Sequence, residues 1–325
     1  MKKVIGIDFG TSNTFIYVPN KGSVYNEPTV IALDVKQRKV IETGYLAAKM
    51  IGRTSKDITI SYPVVNGVIA RINPSIQYLR KALKEAKFGN SYSDYVALFS
   101  VPSSLTPVEK NAIKTISDAL DFSDYLCVNQ GLLATIGASN DEEKSGKLCV
   151  NIGGGITDIV VSSNNNIIQA SSSYFCGNLL DEAILRYLRK KHSLLVGKKT
   201  AEFIKMKIGS VEINPENRLI EVSGMNITTQ VPQSIVISTV EIHKVCVSKM
   251  DELVDAITDV LALTPPELSN DIIANGICLC GGGALLAGMR EYLEKVLSIP
   301  VRIGPDPITS VVNGMRIYIR DLKLD

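Results

Sequence analysis

Two short segments of this 325-residue chain carry the residue types that bind phosphate, and they share one register. IGIDFGTSNTFIYV runs from Ile5 to Val18, and CVNIGGGITDIVV from Cys149 to Val161. Asp8 aligns with Asn151, Gly10 with Gly153 and Thr14 with Thr157, each pair 143 positions apart. Glycine lets a backbone turn sharply and approach a ligand closely, and successive exposed N–H groups in such a turn form an anion nest. Thr11, Ser12, Thr14 and Thr157 add hydroxyl donors to the nests at Gly10 and Gly153-Gly154-Gly155. One such hairpin is an ordinary glycine turn. Two in one register point to a duplicated domain gripping a nucleotide from two sides.

A third segment, GICLCGGGALLAGM (Gly276 to Met289), reads as an apolar strand running into Gly281-Gly282-Gly283 and then a helix starting near Ala284. A helix N-terminus behind glycines suits phosphate or ribose oxygens, and equally a close strand–helix packing turn. In TAEFIKMKIGS (Thr200 to Ser210), Glu202 and Lys205 are three apart and share a helix face. On sequence alone that pair is a solvated surface pair.

The elements that position these groups follow from periodicity. β-branched and aromatic residues on both sides of each turn predict strands. Tyr78 to Ala86 is helical, with Leu79 and Leu83 at i,i+4 spacing. Pro107 suits the first turn of a helix that carries Glu109 and stops near Asp121. Strands alternating with helices predict α/β architecture, each half on a mixed sheet. The length and 45% hydrophobic content support two domains, with the polar run Asp141 to Gly146 as the linker. The Arg189-Lys190-Lys191 run is expected at a helix C-terminus.

A formal net charge of +2 argues against a nucleic-acid surface. The six cysteines are scattered with no C-x-x-C pair, a reduced, cytosolic pattern rather than a disulfide framework or zinc site. His192 and His243 are read as isolated surface residues. The first strand, beginning by about Val4, leaves no room for a signal peptide, and no apolar run approaches a membrane span.

The four segments, in this order, resemble the actin/Hsp70/sugar-kinase ATPase superfamily. NEPTVIAL (Asn26 to Leu33), VPSSLTPVEKNA (Val101 to Ala112), LTPPELSNDI (Leu263 to Ile272) and DPITSVVNG (Asp306 to Gly314) are similar to signatures of MreB-type bacterial actins, and the likeness covers nearly the whole chain. The resemblance implies an actin-like fold: duplicated RNase H-like domains around a nucleotide cleft, at 1–143 and 144–325. Smaller subdomains would be inserted at about 34–73 and 181–241, with the chain's end packing back on the first domain. It implies ATP and Mg²⁺ as cofactors. Thr11, Ser12, Asn13, Thr14 and Gly153 to Gly155 match the phosphate contacts. Glu202 and Lys205 match positions facing ribose and adenine, and Gly282, Gly283, Ala284 and Leu285 the adenosine-side turn. Asp8 would hold Mg²⁺ through water, since that ion keeps much of its hydration shell. Glu109 matches the glutamate that orients the attacking water.

Three departures stand out. The second phosphate turn normally opens with aspartate and here has Asn151; its threonine is replaced by Ile156; and a downstream G-G-D motif reads Cys176-Gly177-Asn178. An amide cannot take a proton or supply negative charge, and an alkyl group offers no hydrogen bond. The expectation is a retained ATP pocket with weak or slow hydrolysis. As partners the resemblance implies copies of the chain itself, in head-to-tail and paired antiparallel filaments for cell shape, or for helicity and swimming in a wall-less bacterium. It leaves open co-assembly of a non-hydrolysing scaffold with a paralogous actin, and a small-molecule kinase of the same superfamily. The implied location is the cytoplasm. Peripheral contact with the inner membrane face rests only on the loop Lys87 to Tyr92, with its two aromatics.

Overall fold

The computed structural model describes residues 3–37, 39–87, 91–139, 146–212 and 215–322. Residues 141–145 of the expected linker and 88–90 of the expected membrane loop lie outside that set. The chain divides into two compact units: residues 1–143, 165–167 and 308–325, and residues 144–164 and 168–307.

In the first unit, β1 (Lys3–Phe9), β2 (Asn13–Val18) and β3 (Gly22–Pro28) form a meander. A small antiparallel sheet of β4 (Ile31–Asp34), β5 (Val40–Thr43) and β6 (Ile58–Ser61) follows, with α1 (Gly44–Met50). The short hairpin β7 (Val64–Val65) and β8 (Val68–Ile69) leads into α2 (Ile72–Glu85). That helix begins six residues before the Tyr78 start that its apolar spacing marks. Then come β9 (Tyr95–Val101), α3 (Pro107–Ala119), β10 (Asp124–Asn129) and α4 (Gln130–Ala138). The main sheet has the order β10-β9-β1-β2-β3, with β9 parallel to β1. Its core includes the fully buried Ile5, Ile7, Ile16, Tyr78 and Leu79.

The second unit repeats this plan. The strands β11 (Lys147–Ile152), β12 (Thr157–Ser163) and β13 (Asn166–Ser173) are neighbours in one sheet. Next are α5 (Gly177–His192), β14 (Leu194–Leu195), α6 (Lys198–Ile208), β15 (Leu219–Asn226), β16 (Pro232–Ser238), α7 (Thr239–Val247), α8 (Met250–Ala262) and α9 (Pro266–Asn275). β17 (Ile277–Cys280), α10 (Met289–Leu297) and β18 (Val301–Ile303) complete the unit, and α11 (Ser310–Asp321) belongs to the first. The sheet order β13-β12-β11-β17-β18 matches the first sheet strand for strand: an antiparallel hairpin at its centre and parallel strands on the other side. The β14-β15-β16 sheet is separate.

The basic run falls in the last turn of α5, as its charge dictates. The two histidines differ from the expectation, since both are half-buried. His192 packs edge-on against the Tyr187 ring and lies 3.3 Å from Glu241, while His243 Nδ1 lies 3.2 Å from the Ser210 carbonyl. Burial pushes the Glu241 carboxyl up, but hydrogen bonds from Tyr187, Lys191 and Ser238 outweigh it and hold the group down at about 2. Of the six free cysteines, five are buried and Cys127 is half-buried. Among the described residues no helix is long and apolar enough to cross a membrane.

Candidate nucleotide site

The first turn lies between β1 and β2, where Phe9 pairs with Thr14. The Gly10 amide donates to the Asn13 carbonyl at 3.1 Å, closing the turn. A Cβ on Gly10 would sit 2.8 Å from that carbonyl oxygen, so any other residue strains the turn. Neighbouring segments brace it. The Thr29 amide donates to the Ser12 carbonyl at 2.9 Å, Asn13 Nδ2 donates to Asn26 Oδ1 at 3.0 Å, and the Gly67 amide donates to Thr11 Oγ1 at 2.9 Å. The Thr11 hydroxyl keeps its own proton to donate.

The second turn, between β11 and β12, has the same geometry. Ile152 pairs with Thr157, and the Gly153 amide donates to the Ile156 carbonyl at 3.0 Å. A Cβ on Gly153 would meet that oxygen at 2.7 Å. Donor and acceptor here are the first turn's, displaced by the same 143 positions. The first turn of α5 then ties down the loop: the Gly177 amide donates to the Gly153 carbonyl at 3.0 Å, and Asn178 to the Gly154 carbonyl at 2.9 Å.

Side-chain chemistry is where the structure adds to the sequence. Thr14 and Thr157 are fully buried. Thr14 Oγ1 lies 2.8 Å from Thr29 Oγ1, and Thr157 donates to the Phe175 carbonyl at 2.6 Å. Both hydroxyls brace the fold, so the exposed donors of the turns are Thr11, Ser12 and backbone amides. Asn151 and Ile156 are buried as well, each 6% exposed.

Asp8 is half-buried and takes a 2.6 Å hydrogen bond from Ser100 Oγ, on the neighbouring parallel strand. Burial pushes its carboxyl up to about 6, against the lowering effect of that bond. No ion pair involves Asp8 among the described residues. A desolvated carboxylate without a basic partner suits a cation that brings its own water. Among the described residues no cluster of three or more His, Cys, Asp or Glu could hold a metal ion.

Glu109 lines an open groove of about 340 Å³ with Phe9, Val64, Gly67, Ser100 and Ile113. It is also the third residue of α3 and closes a capping box. Its Oε2 accepts from the Thr106 amide at 2.7 Å and from Thr106 Oγ1 at 2.8 Å, while its own amide donates to Thr106 Oγ1. The cap engages the carboxylate through Oε2 and leaves Oε1 out of the box. The T-P-V-E run at 106–109 carries this signal, which sequence reasoning passed over. Ser100 has no such local signature, because only the β1–β9 register brings it to Asp8.

In the third segment β17 ends at Gly281, which adopts φ +78°. A single 3₁₀ turn spans Gly282–Leu285, and α10 starts only at Met289. The helix expected near Ala284 is therefore displaced by Gly288, which sits in the left-handed region, and by the bridge of Ala287 to Ser210. Gly283 packs on Ile152, whose Cγ2 an added Cβ would overlap, whereas Gly282 faces open space. Ala284 is buried and Leu285 exposed. Glu202 is exposed on α6, but Lys205 is not a surface partner for it. Its Nζ lies 2.8 Å from Asp181 Oδ1 and donates to the Gly177 carbonyl at 3.0 Å.

Two five-stranded sheets of one strand order, each bearing the same closed glycine turn, define a protein of the actin-like fold. The family model described as MreB/Mbl protein matches residues 2–325, and the chain belongs to that family. It is 34% identical over 319 residues to the cell shape-determining protein Mbl of Bacillus subtilis (strain 168), covering 98% of this chain and 96% of that one. It is 35% identical over 317 residues to the cell shape-determining protein MreB of Escherichia coli (strain K12), covering 95% and 91%. Among solved structures it is similar to MreB 5 of Spiroplasma citri bound to AMPPNP, with TM-score 0.94, 32% identity and coverage of 99% and 97%. The MamK double helical filament shares the fold at TM-score 0.81 and 20% identity, with 98% of each chain covered.

Proposed function

We propose that this chain is an ATP-binding bacterial actin that polymerises into cytoskeletal filaments with a role in cell shape, and that it hydrolyses ATP slowly. The observation that carries the reading is the repeated turn, with the same amide-to-carbonyl bond at Gly10–Asn13 and Gly153–Ile156. Two nests of backbone amides suit a polyphosphate, and both are intact. The nucleotide-bound MreB 5 structures of Spiroplasma citri, with AMPPNP and with ADP, support the ligand class.

In this reading Thr11, Ser12, Asn13 and the amide of Thr14 hold phosphate oxygens with Gly153, Gly154 and Gly155. Glu202, Gly282, Gly283, Ala284 and Leu285 lie on the nucleoside side, whereas Lys205, matched to that side by resemblance, is held inward by Asp181 and the Gly177 carbonyl. Asp8 would hold Mg²⁺ through water, and the ion would supply positive charge beside the phosphates. Glu109, steadied by Thr106 through Oε2, uses Oε1 to orient a water. Asn151, Ile156 and Asn178 are the sites where polar groups for that water and its proton are missing. Loss of one positioning contact costs on the order of 10²-fold in rate, so hydrolysis suffers more than binding.

Pelleting with ATP, with ADP and without nucleotide tests the reading. Nucleotide-dependent sedimentation is expected; a chain that stays monomeric while turning over a small-molecule acceptor would be a kinase instead. The buried Ile156, an alkyl group that offers no hydrogen bond, favours one second reading: a nucleotide-locked scaffold that co-assembles with a more active paralogue. ATP bound without any phosphate release, with assembly only alongside that paralogue, would favour it. The proposed location is the cytoplasm.

A further inference from the structure

We infer that Lys205 is a positioning residue for the second glycine turn, acting with Asp181 through the first turn of α5 rather than by touching the nucleoside. The inference rests on the ATP reading of that turn. Lys205 Nζ is turned inward, 2.8 Å from Asp181 Oδ1 and 3.0 Å from the Gly177 carbonyl, and the two charged side chains are only 15% and 12% exposed. One hydrogen bond to the Gly177 carbonyl and an ion pair with Asp181, on a partly desolvated ammonium, hold the group in place.

What Lys205 fixes is the segment that holds the turn. Gly177 accepts from Lys205 and donates to the Gly153 carbonyl; the next amide, of Asn178, donates to the Gly154 carbonyl. One bond therefore separates the lysine from the segment bonded to both turn carbonyls. The stack is tight: a Cβ on Gly177 would come within 3.2 Å of Lys205 Nζ and 3.5 Å of Gly154 Cα. A cation at a helix N-terminus opposes the helix dipole, and Asp181, one turn into α5, offsets it. With both turn carbonyls held by α5 and the Gly153 amide closing the turn, the Gly154 and Gly155 amides are the ones left for anions.

The test is equilibrium binding of ADP and of adenosine to the full chain carrying Lys205→Met or Asp181→Asn. If Lys205 positions the phosphate turn, both variants weaken ADP on the order of 10-fold, as loss of an outer-shell partner does elsewhere. Both leave adenosine unchanged. An equal loss for adenosine and ADP in Lys205→Met, with Asp181→Asn silent, would place the lysine on the nucleoside and overturn the inference. Because breaking half of a buried pair can unfold a protein, a second arm uses Lys205→Met with Asp181→Leu, which removes both charges together. In that nucleotide-free variant the Gly177 and Asn178 amides should exchange with solvent at least about 10-fold faster, with the β11 and β12 amides unchanged. Unchanged exchange at Gly177 and Asn178 would overturn it. If the wild type binds no ADP, the ATP reading fails, and the exchange arm alone decides the inference.

Discussion

The two glycine turns share a backbone and differ in side chains. At Gly10 the closing bond is 3.1 Å and at Gly153 it is 3.0 Å, and each glycine would drive a Cβ into its own acceptor. Around the first turn stand Asp8, Thr11, Ser12 and Asn13; the aligned positions around the second hold Asn151, Gly154, Gly155 and Ile156. The first turn can meet a ligand with a carboxylate, hydroxyls and amides. The second offers amides alone. Backbone nests hold phosphate, whereas moving a proton needs side chains, so the comparison separates binding from hydrolysis.

The largest effect should come from spoiling either backbone. Gly10→Ala and Gly153→Ala place a methyl against a backbone oxygen, and strain of about 1–3 kcal/mol converts to roughly 10- to 100-fold weaker ATP binding. Titration of each variant should give similar losses; a loss confined to one turn would break the symmetry. Next, Asn151→Asp, Ile156→Thr and Asn178→Asp together give the second turn its missing chemistry. Phosphate release should rise on the order of 10²-fold with little change in ATP affinity, and an unchanged rate would remove the explanation for slow turnover. Glu109 is better tested by Gln than by Ala. Glu109→Ala also breaks the α3 capping box, at about 1 kcal/mol, whereas glutamine keeps the box. Thermal melts should show a loss for Ala only, while both variants lose the release that depends on Glu109.

The smallest effect is a pH dependence. Asp8→Asn makes the first turn resemble the second. Burial raises the folded Asp8 carboxyl to about 6, above the usual value of about 4, so the folded state holds the extra proton between them. In nucleotide-free protein Asp8 therefore costs no stability below about pH 4, and the loss accrues as pH rises from about 4 to about 6 and is constant above that. Denaturant melts across that window should show the decline in wild type and a shallower one in Asp8→Asn, which also loses the Mg²⁺ dependence of ATP binding. Parallel curves would show that Asp8 is not strained by burial.

The duplicated fold was legible because glycines, β-branched runs and their common spacing are local signals. The closing bond at Gly10 recurs at Gly153 for that reason. The fate of the hydroxyls was not legible. Thr14 and Thr157 look like ligand donors until Thr29 and the Phe175 carbonyl, distant in sequence, arrive beside them. Lys205 misled in the same way, since Asp181 is 24 residues away and meets it only when α5 packs on α6. The late start of α10 was hidden in Gly288, a residue as common in turns as in helix ends. Thr106 was a miss with a readable cue, the S/T-x-x-E pattern of a capping box, which recurs at Ser238 and Glu241.

The most direct test measures ATP binding and phosphate release in the same sample, with Mg²⁺ and protein concentrated enough to assemble. The account predicts near-stoichiometric bound ATP with slow release that Glu109→Gln abolishes. Rapid release, on the order of 1 s⁻¹ or faster as in unimpaired phosphoryl-transfer enzymes, would contradict it, because a second turn made of amides alone would then suffice for catalysis.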